Sequence, residues 1–247
     1  MLPEVLYELF NGMPRQGPGS DEYTRKAWRY LTGLPGRPRI LDIGCGSGMP
    51  TLELARISGG QVTAVDNHQP FLDNLAVRAK TEGLGRRIRI VNASMLALPF
   101  ARSAFNVIWS EGSIFIMGFE KGLLAWKPFL KPGGYLVVSE MAWITPDRPE
   151  EIRAYLEGEY PAIKHDGENK EIIRRAGYKE AGSFILPEAV WLDGFYKPYQ
   201  SRLDALKVKY AGKREALAVL EPCQREIDMF RKYARCYSYV FYIMKPV

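Results

Sequence analysis

The 247-residue sequence predicts an α/β protein: a seven-stranded, mostly parallel sheet with helices on both faces and an antiparallel strand pair at its C-terminal end. Three observations carry this. Short runs rich in Ile and Val alternate with stretches of helical spacing as far as Glu140. A glycine-dense loop separates the first run from the first of those stretches. Beyond Glu140 the alternation gives way to helices, and two further strand-like runs follow. Strands alternating with helices imply right-handed crossovers, hence parallel strands covered on both faces.

Taken in order, the chain begins with an arm. Leu2, Leu6, Leu9 and Phe10 recur at the spacing of a short amphipathic helix. "RQGPGS" reads as a loop, with Ser20 as N-cap of a helix from Asp21 and the capping-box position, Tyr23, left unfilled. "RILDI" and "QVTAVD" are buried strands ended by or containing Asp, and "MPTLELARIS" between them is a helix whose Pro50 suits a first turn. In "QPFLDNLAVRAKTEG", Phe71, Leu72, Leu75, Ala76 and Ala79 fall on one helical side, and Gly83 is the stop. "RIRIVNA", "FNVIWS" and "GYLVVSE" supply strands three to five, with the helix "EKGLLAWKPFL" before the last. "MAWITPDRPEEIRAYLEGEYP" and "KHDGENKEIIRRAGY" read as helices, the second stopping at Gly177; "GSFILPEAVW" and "CYSYVFYIMKPV" read as the closing strands. Between these two lies a helical excursion, about residues 195–234, holding Tyr196, Tyr199, Tyr210 and Tyr233. A connection this long between paired strands is seldom idle, so it reads as a lid or substrate wall; a helical hairpin or homodimer surface is the competing reading. The whole chain, 1–247, is expected to form one domain with an arm over 1–34.

Composition narrows the function. The net charge of +6 is spread among acidic residues, and the densest basic spots, "GRPR" and "GRRIR", abut strand starts. That is the signature of solvated faces and argues against nucleic acid. Cys45, Cys223 and Cys236 are odd in number and widely spaced, which fits a reducing compartment and gives neither a disulfide framework nor a metal site. The start lacks a basic segment followed by an apolar core, and no apolar run approaches the ~20 residues that span a bilayer. A cytoplasmic protein without a membrane partner is expected.

The loop carries the chemistry. Gly44, Gly46 and Gly48 follow the first strand, where ligands of open α/β sheets bind. Glycines let backbone approach a ligand closely, and the helix beginning near Met49 and Pro50 points N–H groups back at the loop, a fair anion site. Asp66 ends the second strand, where a carboxylate can accept hydrogen bonds from both hydroxyls of a ribose. A bare glycine turn capped by a solvated Asp is the competing reading, and Asp42, Asp66 and the strand–loop–helix context together weigh against it. Nicotinamide and flavin folds carry G-x-G-x-x-G to cradle a pyrophosphate. Here the pattern is D-x-G-x-G-x-G, and Asp42 before the loop suits a cationic amino group and sulfonium instead.

On these residues the sequence resembles the class I S-adenosylmethionine-dependent methyltransferases of Rossmann-like fold. "LDIGCGSG" looks like their first motif, "VTAVD" their second-strand acidic motif, and "LKPGGYLVVSE" their turn into strand five, while "NASMLALPF" and "FNVIWSEGSIF" are similar to their third- and fourth-strand segments. The resemblance runs from about Thr32 to Glu140. It implies S-adenosyl-L-methionine as cofactor, with Asp42, Gly44, Cys45 and Gly46 along its methionine part and Asp66 on the ribose. Asn67 would lie near the adenine edge beside His68, and Ala93, Ser94 and Met95 would border the base. Many relatives have Asp where this chain has Ser94, so the hydroxyl or backbone groups would serve there. Ser110 would face the sulfonium, and Arg15 and Gln16 of the arm could reach the cofactor carboxylate or the substrate, a surface connector being the alternative.

Methyl transfer asks little of side chains beyond alignment, which is worth roughly 7–11 kcal/mol; a base is needed only for a protonated acceptor. Glu111 and Glu140, at neighbouring strand ends, are the candidates, each equally readable as a cap or solvated carboxylate. His165, in "KHDGEN", reads as a surface turn. A small-molecule acceptor is the leading expectation. Methylation of RNA, DNA or protein lacks its markers: "SEGS" stands where an N-P-P-Y-like tetrapeptide would, and no Pro-Cys lies near the site. A non-catalytic cofactor-binding protein is the third reading. The acceptor pocket is expected between the arm (Tyr7 to Gln16), Glu111 to Phe115, Glu140 to Trp143, and Phe195 to Tyr199.

Overall fold

The computed structural model describes residues 3–247. Leu2, counted above in the arm helix, lies outside that range. The arm holds α1 (Glu4–Asn11) and α2 (Asp21–Trp28). Alternation follows as β1 (Arg39–Ile43), α3 (Met49–Ser58), β2 (Gln61–Asp66), α4 (Gln69–Thr81), β3 (Ile88–Asn92), β4 (Phe105–Glu111), α5 (Phe119–Trp126) and β5 (Leu130–Trp143). The rest is α6 (Glu150–Glu159), β6 (Lys164–His165), α7 (Asp166–Arg175), β7 (Tyr178–Ile185), α8 (Glu188–Trp191), α9 (Lys197–Lys209), α10 (Arg214–Tyr233) and β8 (Tyr237–Pro246).

The strands run β3-β2-β1-β4-β5-β8-β7 across the sheet. β1 lies parallel to both β2 and β4, so the chain leaves β1 in one direction through β2 and β3, then returns to build the other half from β4. That reversal places a ligand crevice beyond the carboxyl ends of β1 and β4. β8 pairs antiparallel with β5 and β7, giving the expected C-terminal pair. Alternate residues of each strand feed opposite cores: Ile40, Val107 and Val137 pack with Leu9, Leu52 and Phe230 on one face, whereas Leu41, Ile108 and Val138 meet Leu123 and Ile172 on the other.

Three expectations are corrected. The two-residue β6 pairs with Ala142 and Trp143 of β5 and makes the sheet eight-stranded. β5 runs on past Glu140 because Met141 to Trp143 continue the ladder with Tyr237 to Tyr239. "GSFILPEAVW" is strand only to Ile185: Pro187 has no N–H to extend the ladder, and α8 starts directly after it. The helical excursion therefore begins at Glu188, and its segment Leu192–Tyr196 is wound as a π-helix. Ser20 does stand at the N-cap of α2, but its side chain makes no capping bond; Thr24 Oγ1 instead donates to the Ser20 carbonyl.

Candidate functional site

A cavity of about 340 Å³ opens beyond β1 and β4, walled by the arm, the glycine loop, the end of β2, residues 93–96 and the segment after β4. Of the residues expected there, Gln16, Asp42, Gly44, Cys45, Gly46, Asp66, Asn67, Ala93, Ser94, Met95 and Glu111 line it.

The glycine loop is held by its own N–H groups. Gly44 and Cys45 both donate to the Val65 carbonyl, at 2.8 and 3.0 Å, and Gly48 donates to the Cys45 carbonyl at 2.9 Å. Gly46 N–H reaches Asp66 Oδ2 at 2.9 Å, and Ser47 N–H reaches Gln16 Oε1 at 2.7 Å. Every donor from Gly44 to Gly48 is thus spent on the protein, so the loop itself leaves no free N–H cradle for a diphosphate. Gly44 and Gly46 have φ of +69° and +53°, and a Cβ would fall 2.3 Å from Ser113 Oγ at the first and 2.5 Å from Gln16 Oε1 at the second. Only glycine fits that backbone and those contacts.

Asp66 spends one lone pair on each of two N–H groups, Gly46 and His68 (2.9 Å each), and faces the cavity with the rest. The His68 ring stacks on Tyr7 of α1 at 4.1 Å, burial pushing its pKa below the ordinary value, and Phe71 meets it edge-on. Asp42 is 1% exposed and accepts from Thr51 Oγ1 at 2.5 Å. Burial raises its pKa to about 7, opposed by the Thr51 hydrogen bond and reinforced by nearby Glu111. A cationic partner would let it ionise.

The two candidate bases fare differently. Glu111 Oε2 accepts from Arg15 Nη2 at 2.6 Å, and Oε1 accepts from Thr24 Oγ1 at 2.7 Å and Trp109 Nε1 at 2.9 Å. Three donors, one cationic, occupy the carboxylate, an arrangement that suits a positioning role better than a proton acceptor: it fixes Arg15, whose Nη1 makes no hydrogen bond among the described residues and lies 3.7 Å from Asp21 Oδ1. Glu140 does not line the cavity. It is 2% exposed on β5, its Oε1 accepting from the Tyr160 hydroxyl, and burial raises its pKa to about 7.

Three further corrections follow from side-chain direction. Ser110 is 0% exposed and does not line the cavity, its hydroxyl sharing a 2.6 Å hydrogen bond with Ser113 Oγ; Ser113, three residues on, lines the cavity in its place. Gln16 lines the cavity, yet its amide is spent on Ser47 N–H and on the Phe10 and Met13 carbonyls, which latches the arm onto the loop. Trp143, Phe195, Tyr196 and Tyr199 are buried in the core that seats the excursion on the sheet, and none lines the cavity. His165 opens α7, its N–H donating to Glu168 Oε2 at 2.8 Å, away from the site. Thr24 and Thr51, which donate to Glu111 and Asp42 of the cavity, carry no local sequence signal; their partners stand 87 and 9 residues away.

Residues 40–134 match the model of a methyltransferase domain. A sterol 24-C-methyltransferase of Gibberella zeae is 27% identical over 110 residues, covering 44% of this chain and 28% of its own. Methyltransferase GfsG of Streptomyces halstedii is 31% identical over 104 residues, covering 42% and 37%. The chain thus spans only 28% and 37% of the length of these two relatives. A methyltransferase from Geobacter sulfurreducens, solved with S-adenosyl-L-homocysteine, superposes over 100% of this chain and 99% of its own with a TM-score of 0.84 at 20% identity. No helix among the described residues is long and apolar enough to cross a membrane.

Proposed function

We propose that the chain is a class I S-adenosylmethionine-dependent methyltransferase, a reading supported by its fold and by the methyltransferase-domain match over 40–134, and that it transfers the methyl group of S-adenosylmethionine to a small-molecule acceptor. The observation that carries this is the glycine loop whose N–H groups are all satisfied within the protein, flanked by carboxylates at both ends. Such a loop suits a nucleoside that lacks phosphates and bears positive charge.

The cavity residues fit the parts of that cofactor. Asp66 accepts the ribose hydroxyls; Asn67, Ala93, Ser94 and Met95 border the base, with the His68–Tyr7 stack closing that end. Asp42 would face the ammonium of the amino-acid part, and Arg15, held by Glu111 and with Asp21 Oδ1 3.7 Å from its Nη1, would face the carboxylate. When bound, the cofactor supplies a methyl already activated on a sulfonium. The protein's share is then binding, in-line alignment at the segment Glu111–Phe115, and exclusion of water by the arm.

Feeding methyl-labelled cofactor to the protein with a fractionated cell extract separates the acceptor classes. Label is expected in the small-molecule fraction. Label confined to acid-precipitable nucleic acid or protein overturns the small-molecule reading.

A further inference from the structure

Resting on that reading, we infer that the acceptor is an uncharged molecule with an apolar body, seated at the cavity mouth across Leu96, Phe115 and Ile116. These three are 68%, 43% and 60% exposed, and all of them line the cavity. Exposed apolar side chains scattered singly are ordinary surface. Three that share the wall of one ligand cavity form a binding surface.

Sequence and local fold both keep this rim apolar. No charged residue stands between Arg89 and Arg102, nor between Glu111 and Glu120. The two segments meet over the glycine loop, where a Cβ on Gly44 would lie 2.3 Å from Ser113 Oγ and 3.3 Å from Met95 Cε. Ile114–Ile116 forms a single 3-10 turn. Its first residue, Ile114, is 0% exposed and packs on Gly122 of α5, where a Cβ would fall 2.6 Å from Ile114 Cγ1. With Ile114 plugged inward, the turn shows Phe115 and Ile116 to the outside, and the half-buried Tyr160 steadies Phe115 edge-on at 6.0 Å. The backbone donors of the rim are spent locally: Leu96 N–H on Ser94 Oγ, Ile116 N–H on the Ser113 carbonyl and Met117 N–H on the Ile114 carbonyl.

Charge and size decide what fits. A carboxylate or phosphate on the acceptor would find no free cation at the rim, since Arg15 is paired with Glu111. An ammonium would find no free carboxylate: Glu111, the nearest in sequence, is taken by three donors. Asp42 and Asp66 belong to the cofactor side of the cavity, the first held by Thr51 and the second by two backbone N–H groups. Stripping water from a charge with nothing to replace it is costly. An uncharged apolar body instead covers the rim and removes apolar surface from water on both sides. The cavity, about 340 Å³, is at the small end of the roughly 300–1,000 Å³ of ligand pockets, so with the cofactor inside, the body of the acceptor lies at the mouth.

The test titrates protein saturated with S-adenosylhomocysteine, which keeps the cofactor's part of the cavity filled, with N-phenyl-1-naphthylamine, an uncharged fluorophore that brightens in apolar surroundings. Saturable brightening is expected, with octan-1-ol displacing the fluorophore at least tenfold more effectively than octanoate or octylammonium. Leu96→Ser combined with Ile116→Ser, both at exposed positions, should weaken the fluorophore and octan-1-ol tenfold or more and leave the affinity for S-adenosylhomocysteine unchanged. Equal displacement by either ion, or unaltered fluorophore binding in the double variant, overturns this inference alone. So does a dimer in sedimentation that the double variant splits, which would assign the rim to a second copy of the chain. Failure of wild-type protein to bind S-adenosylhomocysteine overturns the reading beneath it.

Discussion

Asp66 and Arg15 make separable claims on the same ligand. On the proposed reading Asp66 would face the ribose, a part shared by S-adenosylhomocysteine and methylthioadenosine, and Arg15 would face the carboxylate, which the second lacks. Hydrogen bonds to charged groups are worth about 1.5–3 kcal/mol, over tenfold in affinity. Asp66→Ala should therefore weaken both ligands more than tenfold, and Arg15→Gln should weaken S-adenosylhomocysteine alone. Equal losses for both ligands in the Arg15 variant would contradict its assignment. Glu140 bears on stability as well. Its folded pKa of about 7 is raised above the usual value of 4.5, so the folded state holds the proton more tightly. The stability this contributes is fully present below about pH 4.5 and is lost as pH rises toward 7. Glu140→Gln keeps a neutral side chain, so its stability relative to wild type should climb between pH 5 and 8, by about 2–3 kcal/mol at most. Parallel melting curves across that range would show Glu140 to titrate normally. At this scale Asp66 was legible because it ends an apolar strand in a recurrent pattern. Ser110 misled because its hydroxyl is covered by Ser113, whose fold-back onto the strand end leaves no mark on the local sequence.

Among the elements, the arm does most to shape the site. Gln16 joins it to the loop, Arg78 and Ser47 both reach the Pro14 carbonyl, and Arg202 of α9 donates to the Glu8 and Leu9 carbonyls. The arm is thereby fixed between the loop and the excursion. Gln16→Ala removes the acceptor of Ser47 N–H. The Ser47 amide should then exchange with solvent markedly faster, and S-adenosylhomocysteine should bind several-fold more weakly. Unchanged exchange and affinity would show the latch to be incidental. Strands β1 to β5 were legible because each is an Ile/Val-containing run between turn signals, the edge strand β3 included although it is only partly buried. The extension of β5 and the pairing of β6 were not, since backbone ladders formed with distant partners leave no mark on local composition. "PEAVW" shows the remaining ambiguity: a short apolar run fits strand or helix, and the helix follows only once Pro187 has ended the ladder.

Across the molecule, chain order fixes where chemistry can occur. The reversal between β1 and β4 brings residues from Tyr7 to Ile116 to one crevice, while the later helices seat their rings in the core and support it from behind. The net charge of +6 finds no place in that crevice: Arg15 is its buried cation, paired with Glu111, and the lining carboxylates are Asp42, Asp66 and Glu111. A crevice of that sign, with loop N–H groups already satisfied, discriminates by charge between an adenosine sulfur nucleoside and a dinucleotide. Titration of the purified protein with S-adenosylhomocysteine and, in parallel, NAD measures this directly. Saturable binding of S-adenosylhomocysteine with no detectable heat from NAD is expected; NAD binding more tightly than the sulfur nucleoside would contradict it.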